Sequence, residues 1–244
     1  NKRSGDSNCS LIDTKKENDL IVHFTDKLPA DPSANFKASI NTDKRTLIKG
    51  NHSATHLLHA ALRDVLGTHV QQKGSLVSDQ VLRFDFSHFS KVEDEQILEI
   101  ERIVNDHIRQ NIILDEQRSM PIAEAKSLGA MALFGEKYGD FVRVITFDTC
   151  YSVELCGGTH VKATGEIGLF KIVSEGAVAA GIRRIEGFTG PKAFSHVQEQ
   201  EKALLEVKEL LKNPKDISKA ITGLMDDQKR LTKIIETLYA KQAT

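Results

Sequence analysis

At 244 residues, 40% hydrophobic and 27% charged, the chain has the composition of a globular protein rather than a disordered or fibrous one. Its 33 Lys+Arg against 34 Asp+Glu give a formal net charge of −1, which excludes a whole-chain electrostatic grip on nucleic acid and leaves only a local basic face. Three cysteines are too few for a disulfide framework, and no signal-peptide pattern or membrane-length apolar run is visible, so a reducing, cytoplasmic setting is expected.

The chain starts at Asn1 rather than Met, as a piece of something longer would. "NKRSGDSNCS" reads as a polar, mobile lead-in. "DLIVHF" (19–24) predicts a short strand, "TDKLPADPSAN" (25–35) a loop, and "FKASINTDKRTLIKG" (36–50) a second strand. Residues 1–48 are thus expected to be the end of a preceding β-rich module and a linker. "NHSATHLLHAALRDVLG" (51–67) predicts a helix with Asn51 as N-cap and Gly67 just past its end. Its apolar face is Leu57, Leu58, Ala61, Leu62 and Val65.

In "VLRFDFSH", Leu82, Phe84 and Phe86 alternate with Arg83, Asp85 and Ser87, the pattern of a half-buried strand with a polar face. Ser90 and Glu93 have the spacing of a capping box ahead of a helix carrying Ile97, Ile100, Val104 and Ile108. A strand at "ILDEQRS" and a helix over "MPIAEAKSLGAMALF", with Pro121 in its first turn, follow. The strands "FVRVITF", "SVEL", "GLFKIVSEG" and "IRRIEGFTG" come next, the last two joined by the loop "AVAAG". The mixture predicts one α+β domain over 49–190, a mostly antiparallel sheet with packed helices. Residues 191–244 are charged and helical, broken at Pro214. Ile217, Ile221, Leu224, Gln228, Leu231, Ile235 and Leu238 recur at heptad spacing, which predicts a helical hairpin or a coiled coil that self-associates.

Two motifs carry chemistry. His52 and His56, one helical turn apart, project from one face and together can hold a metal ion. In "VELCGGTHV", Gly157 and Gly158 give the backbone freedom to turn Cys156 and His160 inward together. Each motif alone is weak. Jointly they supply four ligands suited to one Zn²⁺, set against the plainer alternative of a buried thiol and unrelated histidines. Four protein ligands normally close a zinc site, whereas hydrolytic zinc keeps a position open, and spacing leaves both arrangements standing. His59 lies further round the helix and reads as surface or packing, not as a ligand.

"NHSATHLLHAALRDVLGTHVQQKGSLVSDQVLRFDFSHF", "MALFGEKYGDFVRV" and "SVELCGGTHVKATGEIGLFKIVSEGAVAAGIRRIEGFTG" resemble the editing domain of alanyl-tRNA synthetases, in the right order over about 145 residues. The same metal motif belongs to free-standing alanyl-tRNA deacylases and to the threonyl-tRNA synthetase editing domain. The resemblance implies zinc ligands at His52, His56, Cys156 and His160. It implies hydrolysis of Ser-tRNA(Ala) and Gly-tRNA(Ala), with the 3′ acceptor end of tRNA(Ala) as partner. It also makes residues 191–244 a helical connector. The residues before 49 are too few for an activating domain, so ATP and Mg²⁺ are expected to serve only a part of the parent ligase outside this chain. Thr55 and Gln72 are candidates for the serine hydroxyl; neither His59 nor Asp85 has a stronger claim as general base. Lys73, Arg83, Arg143, Lys162, Arg183 and Arg184 are candidate phosphate contacts. A complete deacylase and a non-catalytic zinc-stabilised tRNA- or partner-binding module are the alternatives.

Overall fold

The computed structural model describes residues 9–18, 20–29, 31–132 and 138–242. The start of the polar lead-in and the end of the helix expected over 120–134 lie outside them. The chain divides into two compact units, residues 1–41 and 42–244. The first holds an antiparallel hairpin of β1 (Leu11–Glu17) and β2 (Leu20–Thr25). β2 matches the strand expected at "DLIVHF"; β1 was not anticipated.

The second unit begins with α1 (Thr42–Leu66), which overturns both the strand expected over 36–50 and the N-cap at Asn51. Asn51 sits in mid-helix and works sideways. Its Nδ2 donates to the Ser78 carbonyl at 2.8 Å, and its Oδ1 accepts from the Thr189 hydroxyl at 2.7 Å. A residue type favoured at helix starts thus serves here as a buried tie between three elements.

A four-stranded antiparallel sheet lies against α1, in the order β3 (Gln72–Val77), β4 (Leu82–Ser87), β9 (Ile182–Thr189), β8 (Phe170–Ala179). Leu82, Phe84 and Phe86 of β4 are fully buried, as their alternation predicts. They pack with Leu57, Leu58, Ala61 and Leu62 of α1 in the main core. β8 runs on through most of the expected "AVAAG" loop. Only Ala180 and Gly181 turn the chain, with Gly181 at φ +70°.

Helix α2 (Asp94–Arg109) buries Ile100, Val104 and Ile108 against this core. Its capping box is Glu93 with Gln96, the Glu93 amide donating to Gln96 Oε1 at 3.0 Å. The Ser90–Glu93 box is therefore displaced by three residues, and Ser90 Oγ instead lies 3.0 Å from His88 Nε2. Asn105 clamps α2 to β8 by accepting from the Phe170 amide and donating to its carbonyl.

A second antiparallel sheet is β5 (Asp115–Pro121), β6 (Phe141–Phe147) and β7 (Ser152–Leu155). Helix α3 is short (Ile122–Ser127), with Pro121 as its N-cap rather than inside the first turn. Gly129, at φ +76°, follows its end. Ala125 packs with Val142, Val144 and Leu155 in a small satellite core.

The tail forms α4 (Gly190–Leu210) and α5 (Ile217–Gln242), separated as Pro214 predicts. The favoured hairpin is not what the structure shows, because α5 buries none of its residues. Leu224, Leu231 and Leu238 of the heptad face are 58%, 53% and 57% exposed. Among the described residues no helix is long and apolar enough to cross a membrane.

This contrast in burial gives a direct test. Phe84→Ala should destabilise the second unit by about 3–5 kcal/mol in urea unfolding. Leu231→Ala should change the same transition by less than about 0.5 kcal/mol.

Candidate metal centre

Helix α1 places His52 and His56 one turn apart, with ring centroids separated by 5.3 Å. The loop leaving β7 brings Cys156 and His160 to them from more than 100 positions along the chain. The four potential ligand atoms all lie within 4.8 Å of one another, and these four residues are the group among those described that could hold a metal ion. Cys156 Sγ is 3.5 Å from His52 Nε2 and 3.3 Å from His160 Nε2. Ordinary Zn–S and Zn–N bond lengths give a tetrahedral S···N edge of about 3.6 Å, so the cluster is already nearly the size of a zinc site.

The two glycines of the loop have different roles, and neither takes a left-handed φ. A Cβ on Gly157 would meet open space, whereas one on Gly158 would fall 2.1 Å from Cε1 of His52. Position 158 is glycine because an imidazole fills the room a side chain needs. Arg143 of β6 fixes the same loop by donating through Nη1 to the carbonyls of Cys156 (2.8 Å) and Gly158 (2.5 Å). Its Nε donates to Glu116 Oε1 at 2.8 Å.

Two further side chains stand behind the imidazoles. Ser53 Oγ accepts from the Val161 amide and lies 3.1 Å from His160 Nδ1. Buried Glu154 has Oε1 3.1 Å from His59 Nδ1 and Oε2 3.5 Å from His56 Nδ1. Carboxylates and hydroxyls set behind metal-bound imidazoles in this way hold the ring orientation and tautomer. The sequence reading missed both residues. Glu154 was within reach of it, because residues 154 and 156 share a face when a strand alternates.

Burial is the main reason the imidazoles resist protonation. It holds His52 below the ordinary histidine value and His56 well below it, and the neighbouring imidazoles repel a proton on His56 further. Burial, then His52 and Arg143, push His160 down to about 3. Neutral imidazole is the form that ligates a metal. His56 Nδ1 is buried without a hydrogen bond. One thiol and three imidazoles, crowded together and uncharged at nitrogen, fit a zinc-type ion.

The other predicted residues are distributed as follows. Thr55 is buried and spends its hydroxyl on the Asn51 carbonyl at 2.9 Å. Gln72 lines a cavity of about 190 Å³ together with His59, Arg63, Met131 and Glu154. His59 is packed rather than on the surface, its ring centroid 5.1 Å from that of Phe84. Asp85 is held below the usual carboxylate range by Arg184, which binds both its oxygens at 2.7 and 2.8 Å. Arg183 grips Glu175 through two bonds of 2.6 Å. Arg83 Nε stands 3.8 Å from Asp85. Lys73 and Lys162 are exposed.

Residues 142–186, which contain the Cys156–His160 loop, match the family model described as "Threonyl and Alanyl tRNA synthetase second additional domain". Over 98% of its length the chain is 55% identical to an alanine–tRNA ligase of Cytophaga hutchinsonii. It is 57% identical over 95% of its length to that of Flavobacterium psychrophilum, and 54% over 93% to that of Bacteroides fragilis. The chain belongs to the alanyl-tRNA synthetase family. It spans 26–27% of the length of these curated relatives.

In this alanyl-tRNA synthetase segment, Gly158→Ala should drive His52 from its place and weaken metal binding by tenfold or more, read by chelator competition. Metal-free protein should lose stability on mild acidification. The unfolded state takes up protons on these histidines near the ordinary histidine value of 6.5, whereas folded His160 does so only near 3. The histidine contribution is therefore fully present above about pH 6.5 and is lost as pH falls toward 3. Urea unfolding in chelator should show a slope of up to about 1.4 kcal/mol per pH unit for each histidine.

Proposed function

We propose that the chain carries the hydrolytic editing module of an alanyl-tRNA synthetase. It clears serine and glycine from mischarged tRNA(Ala) and spares Ala-tRNA(Ala). The observation that carries this reading is the convergence of four metal-competent side chains near a cavity of about 190 Å³, with Glu154 lining the cavity and standing 3.5 Å from His56. A cavity of that size suits an aminoacyl group rather than a nucleotide. On this reading the module occupies residues 49–190 together with the first turns of α1 from Thr42. The preceding residues end a β-rich neighbour, and residues 191–244 connect onward. The need for such a check is physical, since one methyl or one oxygen separates alanine from its competitors and a single pocket discriminates such neighbours weakly.

His52, His56, Cys156 and His160 would hold the Zn²⁺. When bound, it supplies a Lewis acid for an ester carbonyl or for water. The chain's own residues do the positioning. Ser53 keeps the His160 ring turned to the common centre, and Glu154 holds the ring of His59 beside it. Arg143 pins the carbonyls of the loop that presents Cys156. The 3′ acceptor end of tRNA(Ala) would approach from the cavity mouth. Among the basic candidates the exposed Lys162 is better placed for phosphates than Arg143, Arg183 and Arg184, which already grip carboxylates.

Purified chain should release serine from Ser-tRNA(Ala) and leave Ala-tRNA(Ala) intact. Cys156→Ala should slow that release by at least about 100-fold. Equal decay of both esters with and without high concentrations of protein would refute the reading.

A further inference from the structure

His52, His56, His59 and Arg63 recur at helical spacing along α1, so all four side chains leave one face of the helix. The first two belong to the metal cluster, and the last two line the cavity of about 190 Å³. Arg63 also lines a neighbouring cavity of about 60 Å³, which shares Met131 and Glu154 with the first. Its Nη1 donates to the carbonyls of Thr68 and Val70, each at 2.8 Å. A guanidinium has five N–H groups, so those on Nε and Nη2 are left over. They have no partner among the described residues, and neither nitrogen is sealed from solvent. Among the described residues no carboxylate pairs with Arg63, whereas Arg143, Arg183 and Arg184 each grip one. The other charge in the cavity wall, Glu154, is 6% exposed and faces His56 and His59.

Resting on the editing reading above, we propose that Arg63 binds the 5′-phosphate of the terminal nucleotide whose 3′-ester is brought to the metal cluster. That phosphate is the anion nearest the ester bond. Nε and Nη2 present parallel N–H groups along one edge of the guanidinium, which matches two oxygens of a phosphate. From His56 to Arg63 the helix rises about 10 Å at 1.5 Å per residue, which leaves room for one sugar and its phosphate between cluster and guanidinium. The carbonyls of Thr68 and Val70 hold Nη1 in advance, so less side-chain freedom is lost when the anion binds. Arg63 is half-buried, where salt screens a charge pair less than on the open surface. It is a positioning residue, setting where the ester falls relative to the cluster. The sequence reading passed it over because a basic residue in the last turn of a helix has an ordinary place there.

The test uses non-hydrolysable 3′-serylamide analogues of adenosine and of adenosine 5′-monophosphate, titrated calorimetrically into zinc-loaded chain. The phosphorylated analogue should bind about tenfold or more tightly than the other. In Arg63→Gln, checked for metal content and melting temperature, the ratio of the two affinities should fall to about twofold or less. Arg63→Lys, which keeps the charge and loses the paired donors, should retain only part of it. Loosening of the loop alone would lower both affinities together and leave the ratio where it was. Equal affinities in the unaltered chain overturn the proposal without recourse to a variant, and so does an undiminished ratio in Arg63→Gln or Arg63→Lys. Hydrolysis of Ser-tRNA(Ala) is followed in parallel. A phosphate advantage that depends on Arg63, with no hydrolysis, would sink the editing reading and leave the contact standing. Hydrolysis with no phosphate advantage would do the reverse.

Discussion

The fold of the second unit turns on a close approach between one imidazole and one backbone. His52 occupies the volume that any side chain at position 158 would claim, with a notional Cβ only 2.1 Å from its ring. That contact fixes how near the loop after β7 can come to α1, and hence whether Cys156 and His160 share a centre with His52 and His56. The surrounding structure holds the approach in place. α1 is packed on β4 through Leu57, Leu58, Phe84 and Phe86, and Arg143 draws in two carbonyls of the loop. Three uncharged imidazoles held this close, with a guanidinium nearby, repel any proton, and they suit a cation that accepts nitrogen lone pairs.

Glu154 connects the metal cluster to the cavity. One carboxylate faces imidazoles from two successive turns of α1, His56 at 3.5 Å and His59 at 3.1 Å. A carboxylate this buried is stable only with such partners.

Much of this was legible in the residues, and the failures have physical causes. The helical spacing of His52 and His56 and the alternation of Leu82, Phe84 and Phe86 translate directly into geometry, because each depends only on local periodicity. Asn51 misled because its preference for helix starts is a local rule, and here two partners from other parts of the chain use its amide instead. The start of α1 at Thr42 was hidden by a segment with weak apolar patterning. Ser53 and Arg143 act through contacts across the fold, which spacing along the chain does not encode. The heptad in α5 was read correctly as a pattern, but a pattern does not say what covers it, and here α4 does not.

The guanidiniums of Arg143, Arg183 and Arg184 each grip a carboxylate within the chain, whereas Arg83 stands 3.8 Å from the Asp85 that Arg184 already holds. A polyanion drawn to Arg143 and Arg183 meets near-neutral pairs, not bare cations, and gains little by shedding its ion atmosphere. Its hold there would vary only gently with ionic strength, so discrimination would rest on the shape and hydrogen bonding of what reaches the cavity rather than on electrostatic attraction to the strand.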